Sequence, residues 1–318
     1  MRRSLFQLLD AYPDVGESST HAHTTLLESS HRADELGYDT VWLAEHHFQR
    51  LGTAPNPAVV LAAVAARTRR IRLGPAVAVL PLNEPTRVAE DYALVDVLSG
   101  GRLNMGVGAG SQALEFAGFD ADFDDRMAVF EQRLQVLQER WMSAGGPDHT
   151  SINVRPVQSP PPFYVATTDA GRARALGRAG LSMLTIVTPL VVDLSEIQER
   201  LAAHAAGLRD GGYAPEDAEA VTFVFTHVAD CEDDARQLAA PALARVVGLL
   251  IGAEVPDGEP LYDMMCERGT GIFGSRESAA VTLARYESIG AHHVAFLSGF
   301  GGIDGPALDR SLELLAPS

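Results

Sequence analysis

The chain contains no lysine, and all 25 of its basic residues are arginine. That absence excludes Schiff-base chemistry on a lysine amine and the lysine of a phosphate-binding P-loop. Cysteine is nearly as scarce. Cys231 and Cys266 stand far apart and form no CxxC pair, so neither a disulfide framework nor a zinc motif is indicated, and a cytoplasmic location is expected. Positive charge is outweighed by 42 acidic residues, for a formal net charge of −17. Nucleic acids and anionic membranes need basic patches, so small molecules or proteins are the expected partners. Long apolar runs are missing too. No stretch approaches the roughly 20 residues that a membrane span requires. The segment "MRRSLFQLLDAYPDV" reaches Asp10 too soon for the apolar part of a signal peptide.

What remains is the composition of an ordinary enzyme, 46% hydrophobic and 21% charged, able to bury a large core. Eight short β-type runs stand out: 5–10, 40–45, 72–80, 102–108, 163–168, 183–187, 221–229 and 293–299. Helical periodicity fills the gaps between them. Strands alternating with helices predict a parallel sheet, and eight such units predict an α/β fold of the (β/α)8 TIM-barrel type. With no break in composition, residues 1–318 read as one domain. The surplus length falls between strands seven and eight, as an insertion of two helices, 231–250 and 276–289, separated by a loop. In 125–141 a stripe of Met127, Phe130, Leu134, Leu137 and Trp141 marks an amphipathic helix. "SEIQ" at 195–198 fits a capping box.

The second run ends in "TVWLAEHHF", residues 40–48. Strand alternation puts Trp42, Ala44 and His46 on one face and Leu43, Glu45 and His47 on the other, so the two histidines cannot easily share a metal. No HExxH or Cys/His spacing supplies other ligands, and no metal site is expected. "HAH" at 21–23 reads as a solvated helix start. Barrel enzymes carry their chemistry at the carboxyl ends of the strands, which is where His46 falls. His292 and His293 precede the eighth strand and belong to the opposite, stabilising end. His227 shares a strand face with Phe223 and Phe225 and reads as structural burial.

After the fourth strand comes "GVGAGS", whose Gly106, Gly108 and Gly110 fail the dinucleotide fingerprint because Ser111 stands where a glycine is required. These glycines are expected to let a ligand approach the backbone. After the fifth strand, "ATTDAGRARALGRAG" offers Thr167 or Thr168 as a helix cap, with Arg172 and Arg174 nearby. Such a helix start can hold an anion, but a plainly capped helix with exposed arginines is the simpler reading.

As a set, "GYDTVWLAEHHF", "AARTRRIRLGPAVAVLPLNEPTRVAEDYALVDVLSGGRLNMGVGAG", "DRMAVFEQRLQVLQERW" and "PPPFYVATT" resemble the bacterial luciferase-like flavin monooxygenases. The likeness runs in order from about residue 36 to 185 and continues weakly beyond. It implies the same (β/α)8 barrel and a reduced FMN delivered by a separate flavin reductase. The implied reaction passes one oxygen atom from O2 to a small organic substrate through a flavin C4a-hydroperoxide. His46 matches the first histidine of the family's EHH motif and Glu115 an acidic residue lining the site, so the resemblance implies catalytic roles for both. Ala76 and Val77 match a non-prolyl cis peptide beneath the flavin ring. Thr168, Asp169, Ala170 and Gly171 match the phosphate turn. Ala109 departs from the family, where many members have arginine in the Gly108–Gly110 segment; Arg172 could replace that charge. Gly108 stands where luciferase has a reactive cysteine.

F420-dependent hydride transfer and a non-catalytic flavin-binding subunit are the alternatives, with "EHHF" favouring FMN. The segment 57–68 is apolar around most of its circumference, which predicts a homodimer built on it and on 86–98. Pocket walls are expected near 47–56, 110–119, 187–192, 252–274 and 299–304.

Overall fold

Strands whose two faces both carry apolar residues need cover on both sides, and helices supply it here. The computed structural model describes residues 1–13, 16, 18–142, 151–189 and 193–317. The first half comprises β1 (Arg2–Gln7), α1 (Ser19–Leu36), β2 (Thr40–Leu43), α2 (Pro57–Arg67), β3 (Arg72–Pro75), β4 (Ala78–Val79), α3 (Pro85–Ser99), β5 (Met105–Gly108), α4 (Ala113–Gly118) and α5 (Arg126–Met142). The second comprises β6 (Phe163–Ala166), α6 (Ala170–Arg178), β7 (Ser182–Val187), α7 (Ser195–Gly211), β8 (Ala220–Val228), α8 (Glu232–Ile251), α9 (Glu259–Arg268), β9 (Ile272–Gly274), α10 (Arg276–Ser288), β10 (His293–Leu297) and α11 (Gly305–Leu314).

Paired neighbours run β3-β2-β1-β10-β8-β7-β6-β5-β4, all parallel, with β9 on β8 off this path. A parallel bridge from Leu73 to Leu103 ties the β3 edge to the chain leading into β5. The result is an α/β fold with a nearly closed parallel barrel surrounded by helices.

The barrel interior holds Phe6, Trp42, Tyr164, Leu184, Phe223, Phe225, Ala295 and Leu297. Trp42 meets Tyr164 and Phe223 edge-on, with ring centroids 5.1 and 6.0 Å away. Gly74 makes room for it, since a Cβ there would lie 2.5 Å from the indole. Alternate residues such as Leu5, Val41, Leu43, Val107 and Phe296 face the helical layer. Each large side chain so buried contributes on the order of 2 kcal/mol.

Three expectations need correction. The third run, 72–80, is two strands: the Ala76–Val77 peptide is cis and separates β3 from β4, after which Leu80–Leu82 form a 3-10 turn. The segment 252–274 is not merely a loop, because it contains α9 and β9. "SEIQ" forms no capping box: Ser195 is already helical, and the Asp193 carboxylate accepts from its amide at 2.7 Å. The α5 stripe stands, with Phe130, Leu137 and Trp141 buried. His21 is exposed at the start of α1, as expected.

Candidate active site

The chain leaves β2 at Leu43 and passes through Glu45, His46 and His47 at the carboxyl end of the barrel. Glu115 approaches from α4, whose first turn it occupies, and is buried. One of its oxygens, Oε1, accepts from the His47 amide at 2.9 Å and the Gln49 side chain at 3.2 Å, and lies 2.9 Å from His46 Nδ1. Burial alone would raise the Glu115 pKa, but the His46 bond and charge, the His47 amide and Gln49 outweigh it and hold the carboxyl below its ordinary range. An ionised carboxylate only accepts, so Nδ1 of His46 carries a proton and, in the neutral ring, Nε2 is left as an acceptor. Gly52 lies against the same imidazole; a Cβ there would sit 2.9 Å from His46 Cβ.

His47 turns the other way. Its Nε2 is 3.1 Å from Glu45 Oε1, and its ring packs edge-on against Phe119 at 4.8 Å. Glu45 also accepts from the Val79 amide and the Asn83 side chain. The strand-face reading of the two histidines therefore holds, although 44–47 lie beyond the regular strand.

The cis peptide joins β3 to β4, and Ala76 and Val77 are half-buried. The neighbouring glycines lie close to other parts of the chain. A Cβ on Gly106 would lie 2.0 Å from the Pro75 carbonyl, one on Gly108 2.5 Å from Val77, and one on Gly110 2.9 Å from Phe116 and Val79. Their room is taken by protein atoms, so they let β3, β4 and α4 pack close to β5. Gly110 further has φ +78°, a conformation natural to glycine. Ala109 between them is half-buried.

β6 pairs with β5, so the turn after β6 lies beside this glycine segment. The cap of α6 is Asp169, not Thr167 or Thr168; its carboxylate accepts from the Arg172 amide at 2.7 Å. Thr167 instead supports the turn by accepting from the Asp169 amide at 3.1 Å. Ala170 and Gly171 open the helix, where amides have no intrahelical acceptor. The Arg172 guanidinium lies over Phe130 and 3.6 Å from Glu131, while Arg174 is bound to Asp210.

Elsewhere, His293 sits at the opposite end of the barrel, with Ser4 Oγ 2.7 Å from Nε2 and Glu219 2.9 Å from Nδ1. His227 is buried, its Nε2 has no hydrogen-bond partner among the described residues, and burial pushes its pKa down to about 4. Among the described residues no group of three or more histidine, cysteine or acidic side chains could hold a metal, and no helix is long and apolar enough to cross a membrane. Of the expected pocket walls, 190–192 lie outside the described residues. Val79 and Asn83 escaped the sequence reading and carried no local signal, while Gln49 and Gly52 fell within the expected wall at 47–56 without being singled out.

The sequence model of the family described as Luciferase-like monooxygenase matches residues 1–293. The chain belongs to that family. The oxygenase component of the flavin-dependent trigonelline monooxygenase of Acinetobacter baylyi is 26% identical over 323 residues, covering 93% of this chain and 88% of that protein. Among solved structures, monooxygenase RslO1 from Streptomyces bottropensis superposes with a TM-score of 0.89 at 23% identity, over 99% of this chain and 98% of that one. The oxygenating constituent of 3,6-diketocamphane monooxygenase from Pseudomonas putida, in complex with FMN, gives 0.80 at 17% identity, over 100% and 97%. The chain spans about half the length of the first curated relatives it matches, 49% and 56%.

Proposed function

We propose that this protein is the oxygenase component of a two-component monooxygenase, using reduced FMN and O2 to oxygenate a small organic molecule. The observation that carries the reading is the His46–Glu115 pair at the carboxyl end of the barrel. Family membership supports the flavin, and the flavin-dependent and FMN-bound relatives support this cofactor. Counting β3 and β4 as one interrupted strand gives the eight units of a (β/α)8 barrel, with α9 and β9 as part of an insertion between its seventh and eighth strands. The sequence, residues 1–318, is read as one domain, acting in the cytoplasm.

The residues present fit an FMN. Half-buried Ala76, Val77 and Ala109, with Gly108 and Gly110 on either side of Ala109, offer an uncharged bed for the ring. Thr168 and Asp169, with the amides of Ala170 and Gly171, offer a helix-start site for the phosphate, with Arg172 on the same first turn. Reduced FMN, when bound, supplies the electrons that activate dioxygen. Glu115 holds His46 in one tautomer, and His46 Nε2 then takes or returns a proton at the reacting group. A flavin reductase is the implied partner.

A homodimer is proposed from α2 and α3. Val59, Leu94, Val97 and Leu98 project from these adjoining helices with 43–67% exposure. An apolar cluster of that kind on a monomer's surface marks an interface.

The test is anaerobic titration with reduced FMN and with reduced F420, followed by mixing with oxygenated buffer. Saturable binding of reduced FMN, with reoxidation kinetics distinct from those of free flavin, is expected. Preference for F420 without oxygen reactivity would reassign the barrel to hydride transfer.

A further inference from the structure

Glu45 is buried, with 5% of its surface exposed, although no proton-transfer role falls to it. A carboxylate is costly to bury unless its oxygens are satisfied, and here both are. Oε1 accepts from the Asn83 side chain at 2.7 Å and lies 3.1 Å from His47 Nε2, while Oε2 accepts from the Val79 amide at 3.2 Å. Val79 stands two residues beyond the cis bond and pairs in register with Gly108. Asn83 is tied to the same place, because its side chain also donates to the Val79 carbonyl at 2.9 Å and its own carbonyl accepts from Arg133 at 2.7 Å.

β4 is only two residues long, so strand pairing alone holds it weakly. The Glu45 carboxylate adds charge-assisted bonds to it from the end of β2, on the side away from the barrel interior. We infer that Glu45 is a positioning residue, whose carboxylate pins β4 through Val79 and Asn83 and thereby fixes the Ala76–Val77 peptide as a rigid bed for the cofactor ring. It acts through those groups without touching the ring. The assignment of the bed to a flavin rests on the function proposed above, whereas the pinning is a property of the chain alone.

Two substitutions test it. Glu45→Gln keeps the shape but removes the negative charge and replaces one acceptor oxygen with an amide NH2, so the Val79 amide and the Asn83 side chain no longer each face an acceptor. Asn83→Ala leaves the carboxylate and removes one of its donors. Both variants and the wild type are compared by hydrogen exchange at the Val79 amide without cofactor, and by anaerobic titration with reduced FMN. Circular dichroism checks the folded state.

Exchange at Val79 is expected to quicken roughly tenfold in Glu45→Gln. Binding of reduced FMN should weaken and the absorbance spectrum of the bound flavin should shift, with the same changes, smaller, in Asn83→Ala. The spectral shift is a readout that lower stability alone would not produce. Unchanged exchange and binding in a folded Glu45→Gln protein overturn the inference. If that variant does not fold, unchanged exchange and binding in Asn83→Ala overturn it instead. If the wild type takes up no reduced FMN, the proposed function falls. Val79 exchange then decides the pinning alone: quickening supports it, and no change overturns it.

Discussion

Glu115 accepts from His46 Nδ1 and leaves Nε2 open, and the chemistry proposed for His46 rests on that arrangement. His46→Ala removes the proposed proton carrier and is expected to lower turnover about 10²–10⁴-fold while leaving reduced-FMN binding largely intact, as read by steady-state rates beside titration. Glu115 also contributes a pH dependence of stability. Its folded pKa lies below the ordinary value of 4.5, so its stabilisation is fully present above that value and is lost as pH falls below it. His227 acts in a higher window. Its folded pKa, about 4, is below the ordinary 6.5, so the unfolded chain takes up the proton first as the solution is acidified. Its neutral burial therefore favours the fold fully above pH 6.5, and that advantage erodes down to about pH 4, by roughly 3 kcal/mol in all. His227→Phe is expected to flatten the stability slope across that window in denaturant titrations at a series of pH values. An unchanged slope would mean that this imidazole does not titrate as its burial dictates.

At the scale of elements, the joint between β3, β4 and β5 is the place where one methyl group should matter. Gly108→Ala puts a carbon 2.5 Å from the Val77 side chain, a branched group on a short stem with little freedom to yield. Reduced-FMN affinity is expected to fall about tenfold in that variant, and Val77→Ala in the same chain to restore most of it, a coupling that a double-mutant cycle measures. Additive losses would show that the two side chains do not meet. This joint also marks the limit of what the sequence discloses. Apolar runs with β-branched residues located the barrel strands to within a few residues, and the EHH triplet lay where a strand ends. The break at Ala76–Val77 interrupts an apolar run without altering its composition, so periodicity could not reveal it; only the family resemblance did. β9 is three residues long and α9 is preceded by a Gly/Pro-rich turn, so neither left a pattern long enough to read. Local motif reading misplaced the α6 cap because Thr167, Thr168 and Asp169 are all competent caps, and tertiary geometry chooses among them. The links from Glu45 to Val79 and Asn83 cross 34 and 38 positions and exist only once the barrel forms.

For the whole molecule, the decisive surface is the one that α2 and α3 leave uncovered. Their inward residues, among them Leu61, Val64, Val88 and Tyr92, are already buried in the monomer, so the exposed Val59, Leu94, Val97 and Leu98 are not needed to complete its core. A net charge of −17 opposes self-association over most of the surface, and an apolar patch is where that repulsion is most easily overcome. Leu98, at 62% exposure, gives up little packing in the monomer when replaced. Leu98→Glu should therefore leave the isolated fold within about 0.5 kcal/mol of the parent. In the proposed dimer the same carboxylate would be buried in an apolar interface with no partner for its charge. Sedimentation at micromolar concentration is expected to show a dimer for the parent and a monomer for Leu98→Glu, with closely similar far-ultraviolet circular dichroism. A monomeric parent would leave the α2–α3 face without its proposed partner. A dimeric variant would move the interface elsewhere on the barrel.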